Sequence, residues 1–183
     1  HGMTGTIGNS RPFMVTTFHS GGAGARPGLD GLSATPFPSG VRNVPVEITE
    51  TIAPIVIWKK EYRTDSGGAG KHRGGLGQVM EVEHREGAPF GIFATFERVK
   101  HPARGRDGGG PGGNGRLSLA SGEELKPKGF QTIPAGERLV VEMPGGGGFG
   151  DPTQRDRTQV ARDVRLGLVS EQQAKALYGA DGD

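Results

Sequence analysis

Sixteen residues, TDSGGAGKHRGGLGQV (Thr64–Val79), set six glycines around Lys71, His72 and Arg73. Glycine-rich loops of this kind can cradle phosphate, because exposed backbone amides and a lysine meet the anion together. A Walker-type loop needs glycine, four residues, then Gly-Lys-Ser/Thr. Here Gly70-Lys71 is present, but Asp65 stands at the first glycine position and His72 where the magnesium-holding hydroxyl belongs. The dinucleotide fingerprint also fails, since Gly68-x-Gly70-x-x ends at Arg73. The stretch runs on into an alternating, strand-like segment, so no helix N-terminus faces an anion. It therefore reads as a shaped loop: Asp65 and Ser66 suit a turn, and the glycines permit positive φ and close backbone approach. Such a loop can still present amides and cations to an acidic substrate or a partner. Lys71 and Arg73, with Gly67, Gly68 and Gly70 beside them, are the candidate anion or partner contacts.

Other reactive side chains form no pattern. His1, His19, His72, His84 and His101 fall in none of the common metal-ligand spacings. The absence of cysteine removes disulfides, thiolate nucleophiles and thiolate metal sites. Neither Ser33, Ser66 nor Ser118 lies in a Gly-x-Ser-x-Gly elbow. No metal ligand and no catalytic residue is assigned. The Arg-Gly stretches KHRGG and PARGRDGGG suggest RNA only faintly, because Asp65, Asp107 and the flanking strand patterns interrupt them.

Glycine is the dominant residue, at 35 of 183, against a usual share of about 7%. Apolar runs recur between the glycines without a Gly-X-Y period, which predicts short strands joined by glycine loops. The 22 basic and 20 acidic residues balance too evenly to mark a nucleic-acid or membrane surface. No apolar run reaches the roughly 20 residues of a membrane span, and the N-terminus lacks a signal-peptide layout, so a soluble cytoplasmic protein is expected.

The pattern predicts an α+β fold: mainly antiparallel β with glycine-rich loops and a C-terminal helical hairpin. PFMVTTF (Pro12–Phe18) is a short apolar run, and strands are expected at Val44, Val46 and Ile48 and in IAPIVIWKKEYR, LGQVMEVEH, FGIFATFERV and GERLVVEM. FGIFATFERV places Phe93 and Phe96 on opposite faces, and Asn114-Gly115 signals a hairpin turn. Residues 1–143 make a β-rich body, 144–152 (PGGGGFGDP) a glycine-rich connection, and 153–183 a helical tail. In the tail Asp156 caps one helix, whose Val160 and Val164 share a face before Gly167 stops it. Ser170 through Gln173 form a capping box for a second helix that stops at Gly179.

Several segments together resemble the hydantoinase B/oxoprolinase family. They are RPFMVTTFHSGGAGARPGLDGLSAT, SGVRNVPVEITE, YRTDSGGAGKHRGGLGQV, GGGPGGNGRL and PGGGGFGDPTQRDRTQVARDVRLGLVSEQQAKALYG. They follow the family's order and span nearly the whole chain. Family chains are much longer, so the resemblance implies the C-terminal part of a B-type subunit. It further implies an A-type, ATP-binding partner subunit or domain, a missing N-terminal B region, and a small cyclic-amide substrate. ATP and a divalent metal are implied for the complete enzyme, in which phosphate from ATP activates an amide or enolate oxygen. Neither is expected to be bound by this chain alone, because in the carboxylases of this group the metal-binding His-x-x-Asp motif lies in the N-terminal region of the B-type chain, upstream of this sequence. The expected activity is ATP-dependent opening of a hydantoin or 5-oxoproline ring, with the isolated chain inactive. The alternatives are a non-catalytic assembly module and a subunit of a related ATP-dependent ketone carboxylase.

Overall fold

Strands form here where apolar and polar residues alternate, so that one face of each strand can be buried. The computed structural model describes residues 1–8, 11–36 and 44–179. It contains β1 (Gly2–Ile7), β2 (Arg11–Thr16), β3 (Ile55–Tyr62), β4 (Gln78–His84), β5 (Phe90–Thr95), β6 (Arg116–Leu119), β7 (Lys128–Ile133) and β8 (Leu139–Glu142). Two four-stranded sheets result, ordered β2-β1-β5-β7 and β3-β4-β8-β6, and every pairing between these strands is antiparallel. Met3, Phe90 and Ile92 of the first sheet meet Met80, Val82 and Leu139 of the second in one buried cluster. The expected α+β fold, mainly antiparallel, is the one the chain adopts.

Three local expectations change. The run at Val44–Ile48 belongs not to a strand but to α1 (Val46–Ile52). Val44 and Ile48 are exposed, and burial follows Val46, Thr49 and Ala53 at helical spacing, with Pro45 at the N-cap and Glu47 in the first turn. Residues 41–43, in the SGVRNVPVEITE segment, lie outside the described residues. Asn114-Gly115 does not join two paired strands, since β6 pairs with β8 and Gly115 donates its amide to Arg98 O. Strands β1 and β7 were not anticipated, because Gly2, Gly5 and Gly129 break their alternation.

The tail forms as expected through Gly179, the last residue described. Asp156 caps α2 (Arg157–Arg165) by accepting from the Thr158 and Gln159 amides. Ser170 caps α3 (Glu171–Tyr178), which ends on Gly179 in the left-handed conformation. Val160, Val169, Ala174 and Tyr178 enclose Ala69 of the glycine-rich loop.

The remaining glycine-rich segments join neither sheet. Backbone from residues 21–34, 66–77, 103–113 and 144–150 lies side by side, linked by backbone hydrogen bonds and isolated bridges such as His72 with Phe149. Gly75 donates to Ala23 O, Gly146 to Gly75 O, Gly68 to Gly146 O, Gly148 to Gly110 O and Gly110 to Ala69 O, all at 2.7–2.9 Å. These backbones touch, so the glycines are required for the space they leave empty. A Cβ on Gly145 would stand 1.6 Å from Ser66 O, and one on Gly146 would stand 1.9 Å from Ala23 O. Pro144–Pro152 is thus hydrogen-bonded on several sides.

Not every glycine is held this way, and the difference is measurable. Gly146→Ala is expected to lower unfolding stability by about 3 kcal/mol, at or above the usual cost of overpacking. A Cβ on Gly24 would be 3.8 Å from its nearest neighbour, so Gly24→Ala is expected to be neutral or to stabilise by up to ~1 kcal/mol. Urea unfolding of both variants checks the contrast.

Candidate functional site

The loop at Thr64–Val79 is fastened to the tail by charge as well as by packing. Arg155 is almost fully buried, its side chain 1% exposed. Its Nη1 donates to Asp30 Oδ1 at 2.8 Å and its Nη2 to Asp30 Oδ2 at 2.6 Å. This two-pronged geometry matches a guanidinium to a carboxylate. Arg155 Nη2 also donates to Asp163 Oδ2 at 2.8 Å. Asp163 Oδ2 accepts from Arg73 Nε at 3.2 Å, and the Arg73 amide donates to Asp30 Oδ1 at 2.8 Å. Arg73 Nη1 reaches Gly74 O. Two arginines and two aspartates, from three distant parts of the chain, thereby close a ring.

The charges in this ring stabilise one another. Burial alone would raise the Asp30 carboxyl and lower the Arg155 guanidinium. Their mutual hydrogen bonds and charges outweigh it, holding Asp30 below the usual carboxylate value and Arg155 above its own. Both carboxylates are engaged by guanidinium groups, which suits a structural clamp rather than a general base or a metal ligand. Among the described residues, no three of His, Cys, Asp and Glu assemble as a metal site.

A cleft of about 360 Å³ opens beside the ring, lined by Gly28, Asp30, His72, Gln159 and Arg162 among others. His72 Nε2 accepts from the Gly28 amide at 3.1 Å, pinning the turn that carries Asp30. An adjoining cleft of about 400 Å³ includes Lys71, Asp107, Phe149 and Asp151. A third, of about 600 Å³, holds His1, His19, Phe96 and Arg98. Both His19 ring nitrogens are buried without a partner among the described residues. Burial above all, then the charges of Lys60 and the amino terminus, lower its pKa to about 4.

The structure separates the five residues singled out in the loop. Lys71 is exposed and, among the described residues, its ammonium has no ion pair. Arg73 is buried in the ring. Gly68 and Gly70 are buried against backbone, where added Cβ atoms would stand 2.3 Å from Gly110 O and 2.7 Å from His72 O. Gly67 is half-buried with Gly74 O against it. Sequence reasoning missed Asp30, Arg155 and Asp163. The available signal was Asp163, an aspartate three residues after Val160 on the face that α2 buries.

The Hydantoinase B/oxoprolinase family profile matches residues 2–152. Caprolactamase subunit beta of Pseudomonas jessenii is 35% identical over 177 residues, 91% of this chain and 30% of that protein. 5-Oxoprolinase 1 of Arabidopsis thaliana is 36% identical over 135 residues, 71% of this chain and 10% of that protein. The crystal structure of the ATP-dependent caprolactamase from Pseudomonas jessenii matches with a TM-score of 0.84 and 30% identity, over 100% of this chain and 34% of that one. Nucleotide-free acetone carboxylase matches with a TM-score of 0.78 and 25% identity, over 97% of this chain and 29% of that one. The chain therefore spans about a third or less of each of these relatives.

Two measurements test the clamp. Asp163→Ala leaves Arg73 and Arg155 short of a carboxylate in a buried place, and is expected to cost about 3–5 kcal/mol in urea unfolding. The pH dependence follows from the depressed Asp30. Its contribution is complete above the ordinary aspartate value of 3.8 and is lost as pH falls through the lower folded value. Asp30→Asn is therefore expected to lower stability at neutral pH and to flatten the fall on acidification below about pH 4.

Proposed function

Because the chain belongs to the hydantoinase B/oxoprolinase family, we propose that it is the C-terminal region of the B-type subunit of an ATP-dependent cyclic-amide hydrolase. The observation that carries this reading is the match of the whole chain to the ATP-dependent caprolactamase structure at a TM-score of 0.84. The same region forms 30% of a caprolactamase subunit and 10% of a 5-oxoprolinase. It is thus a module used with other protein regions, separate or fused. On this reading the partner is an A-type subunit or domain that binds ATP, and the missing N-terminal B region supplies the metal ligands. Phosphate from ATP activates the amide oxygen of a ring otherwise too stable to open readily.

The glycine-rich assembly supplies a rigid frame, and the Asp30–Arg155–Asp163–Arg73 ring holds its loop in one shape. Lys71 is the anion or partner contact of that loop, set on an ordered backbone beside Gly70. Arg73 acts as a positioning residue, since its guanidinium is spent on Asp163 and Gly74 O. A second reading, a ketone carboxylase subunit, is favoured by the likeness to acetone carboxylase. Dependence of ATP use on carbon dioxide separates the two.

Mixing this chain with the A-type subunit, with and without the upstream B region, tests the assignment. ATP hydrolysis and opening of hydantoin, 5-oxoproline and caprolactam are followed. Turnover is expected only when the upstream region is present, and Lys71→Ala in that assembly is expected to lower it about tenfold with an unchanged unfolding midpoint. No complex and no turnover in any combination would favour a non-catalytic assembly module.

A further inference from the structure

The two sheets turn very different faces outward. Register places Val56, Lys59, Glu61, Val79, Glu81, Glu83, Arg116, Ser118, Val140 and Glu142 on the outer side of the β3-β4-β8-β6 sheet. Six of these ten are charged. Trp58, at the bulge in β3, is itself tied to Glu83 and lies under Arg138. Such a face is built for water.

The β2-β1-β5-β7 sheet is not. Its outer side carries Gly2, Thr4 and Thr6 of β1, Pro12, Met14 and Thr16 of β2, Gly91, Phe93 and Thr95 of β5, and Lys128, Phe130 and Thr132 of β7. One of these twelve is charged, and that one, Lys128, is neutralised by Glu97 at 2.6 Å. Met14 is 72% exposed, Phe130 55% and Phe93 46%. The two phenylalanines are cross-strand partners with ring centroids 4.9 Å apart, and the Phe130 ring covers Gly91. The sheet thus offers a neutral, thinly covered surface with an aromatic pair, the composition of a contact face.

We propose that this face docks against an uncharged, apolar surface of the remaining, N-terminal part of the B-type chain. The proposal rests on the reading that the chain is one region of a longer subunit. Area selects this occupant over a second copy. Four strands ~4.8 Å apart and about six residues of ~3.3 Å each cover roughly 400 Å². Burying it from both sides removes about 800 Å², short of the ~1,200–2,000 Å² of stable complexes between free proteins. It falls within the ~600–1,500 Å² found between domains of one chain, where the linkage itself keeps the partners together. Charge agrees: a face with no net charge gains nothing from electrostatic steering and is suited to a neutral neighbour already held nearby.

Methionine oxidation by dilute hydrogen peroxide, read by peptide mass spectrometry, tests the docking. Met3 and Met80 are buried and serve as internal references. In the 183-residue chain Met14 is expected to oxidise at least tenfold faster than either. In the complete B-type chain it is expected to be protected at least tenfold, and Phe130→Lys there is expected to restore most of the rate while Met3 and Met80 stay protected. Equal Met14 rates in the two chains overturn the proposal. Protection that rises with concentration in the 183-residue chain also overturns it, in favour of a second copy. The footprint is independent of turnover: protection in a complete chain that opens no cyclic amide when mixed with the A-type subunit and ATP overturns the activity and leaves the docking face standing. Turnover with an unprotected Met14 does the reverse.

Discussion

Contact of backbone with backbone is the constraint on which the rest of this molecule depends. An ordinary core is filled by side chains that can shift rotamers and absorb small errors. Here the segments around Gly22, Gly68, Gly75, Gly110, Gly146 and Gly148 are spaced by peptide groups alone. Ordering so many glycines costs more conformational entropy than ordering any other residue. The cost is offset only if the segments assemble together, because each one takes its hydrogen-bond partners from the others. Gly146 illustrates the interdependence, donating to Gly75 O while accepting from Gly68.

This cooperative demand explains the placement of the salt-bridged ring. Asp30, Arg73 and the Arg155–Asp163 stretch come from three distant parts of the chain, and each lies on a segment that the glycine assembly or the tail must bring into register. A buried pair of charges contributes little net stability, but a misplaced one is costly. The ring therefore penalises wrong arrangements of the loop more than it strengthens the right one. The sandwich of two sheets contributes the apolar burial that the glycine segments lack, and α2 and α3 close over Ala69.

The parts legible in the sequence were those governed by local rules. Alternation marked β4 and β5, β-branched and apolar composition marked β3 and β8, and capping chemistry at Asp156, Ser170 and Gly179 marked both tail helices. Local rules failed where tertiary contacts decide. Gly5 is tolerated in β1 because the Phe13 ring lies over it, as Phe130 lies over Gly91 in β5. At Val46–Ile52 the apolar alternation hid a stripe of Val46, Thr49 and Ala53. At the site, Lys71 and Arg73 were noticed through their glycine neighbours, yet nothing local divides the exposed residue from the buried one. That division comes from Asp163, ninety residues downstream.

The glycine assembly also bears on how the protein responds to temperature. Unfolding normally raises the heat capacity, by about 0.45 cal/K/mol for each Å² of apolar surface exposed, while polar exposure lowers it by about 0.26. Melting the packed segments hydrates many peptide groups and, beyond Leu76, Ala34 and Ala69, little hydrocarbon, so this part of the chain adds less to the positive term than its length suggests. The free-energy curve of such a molecule is flatter than its length would suggest, changing slowly across a wide span of temperature on either side of its maximum.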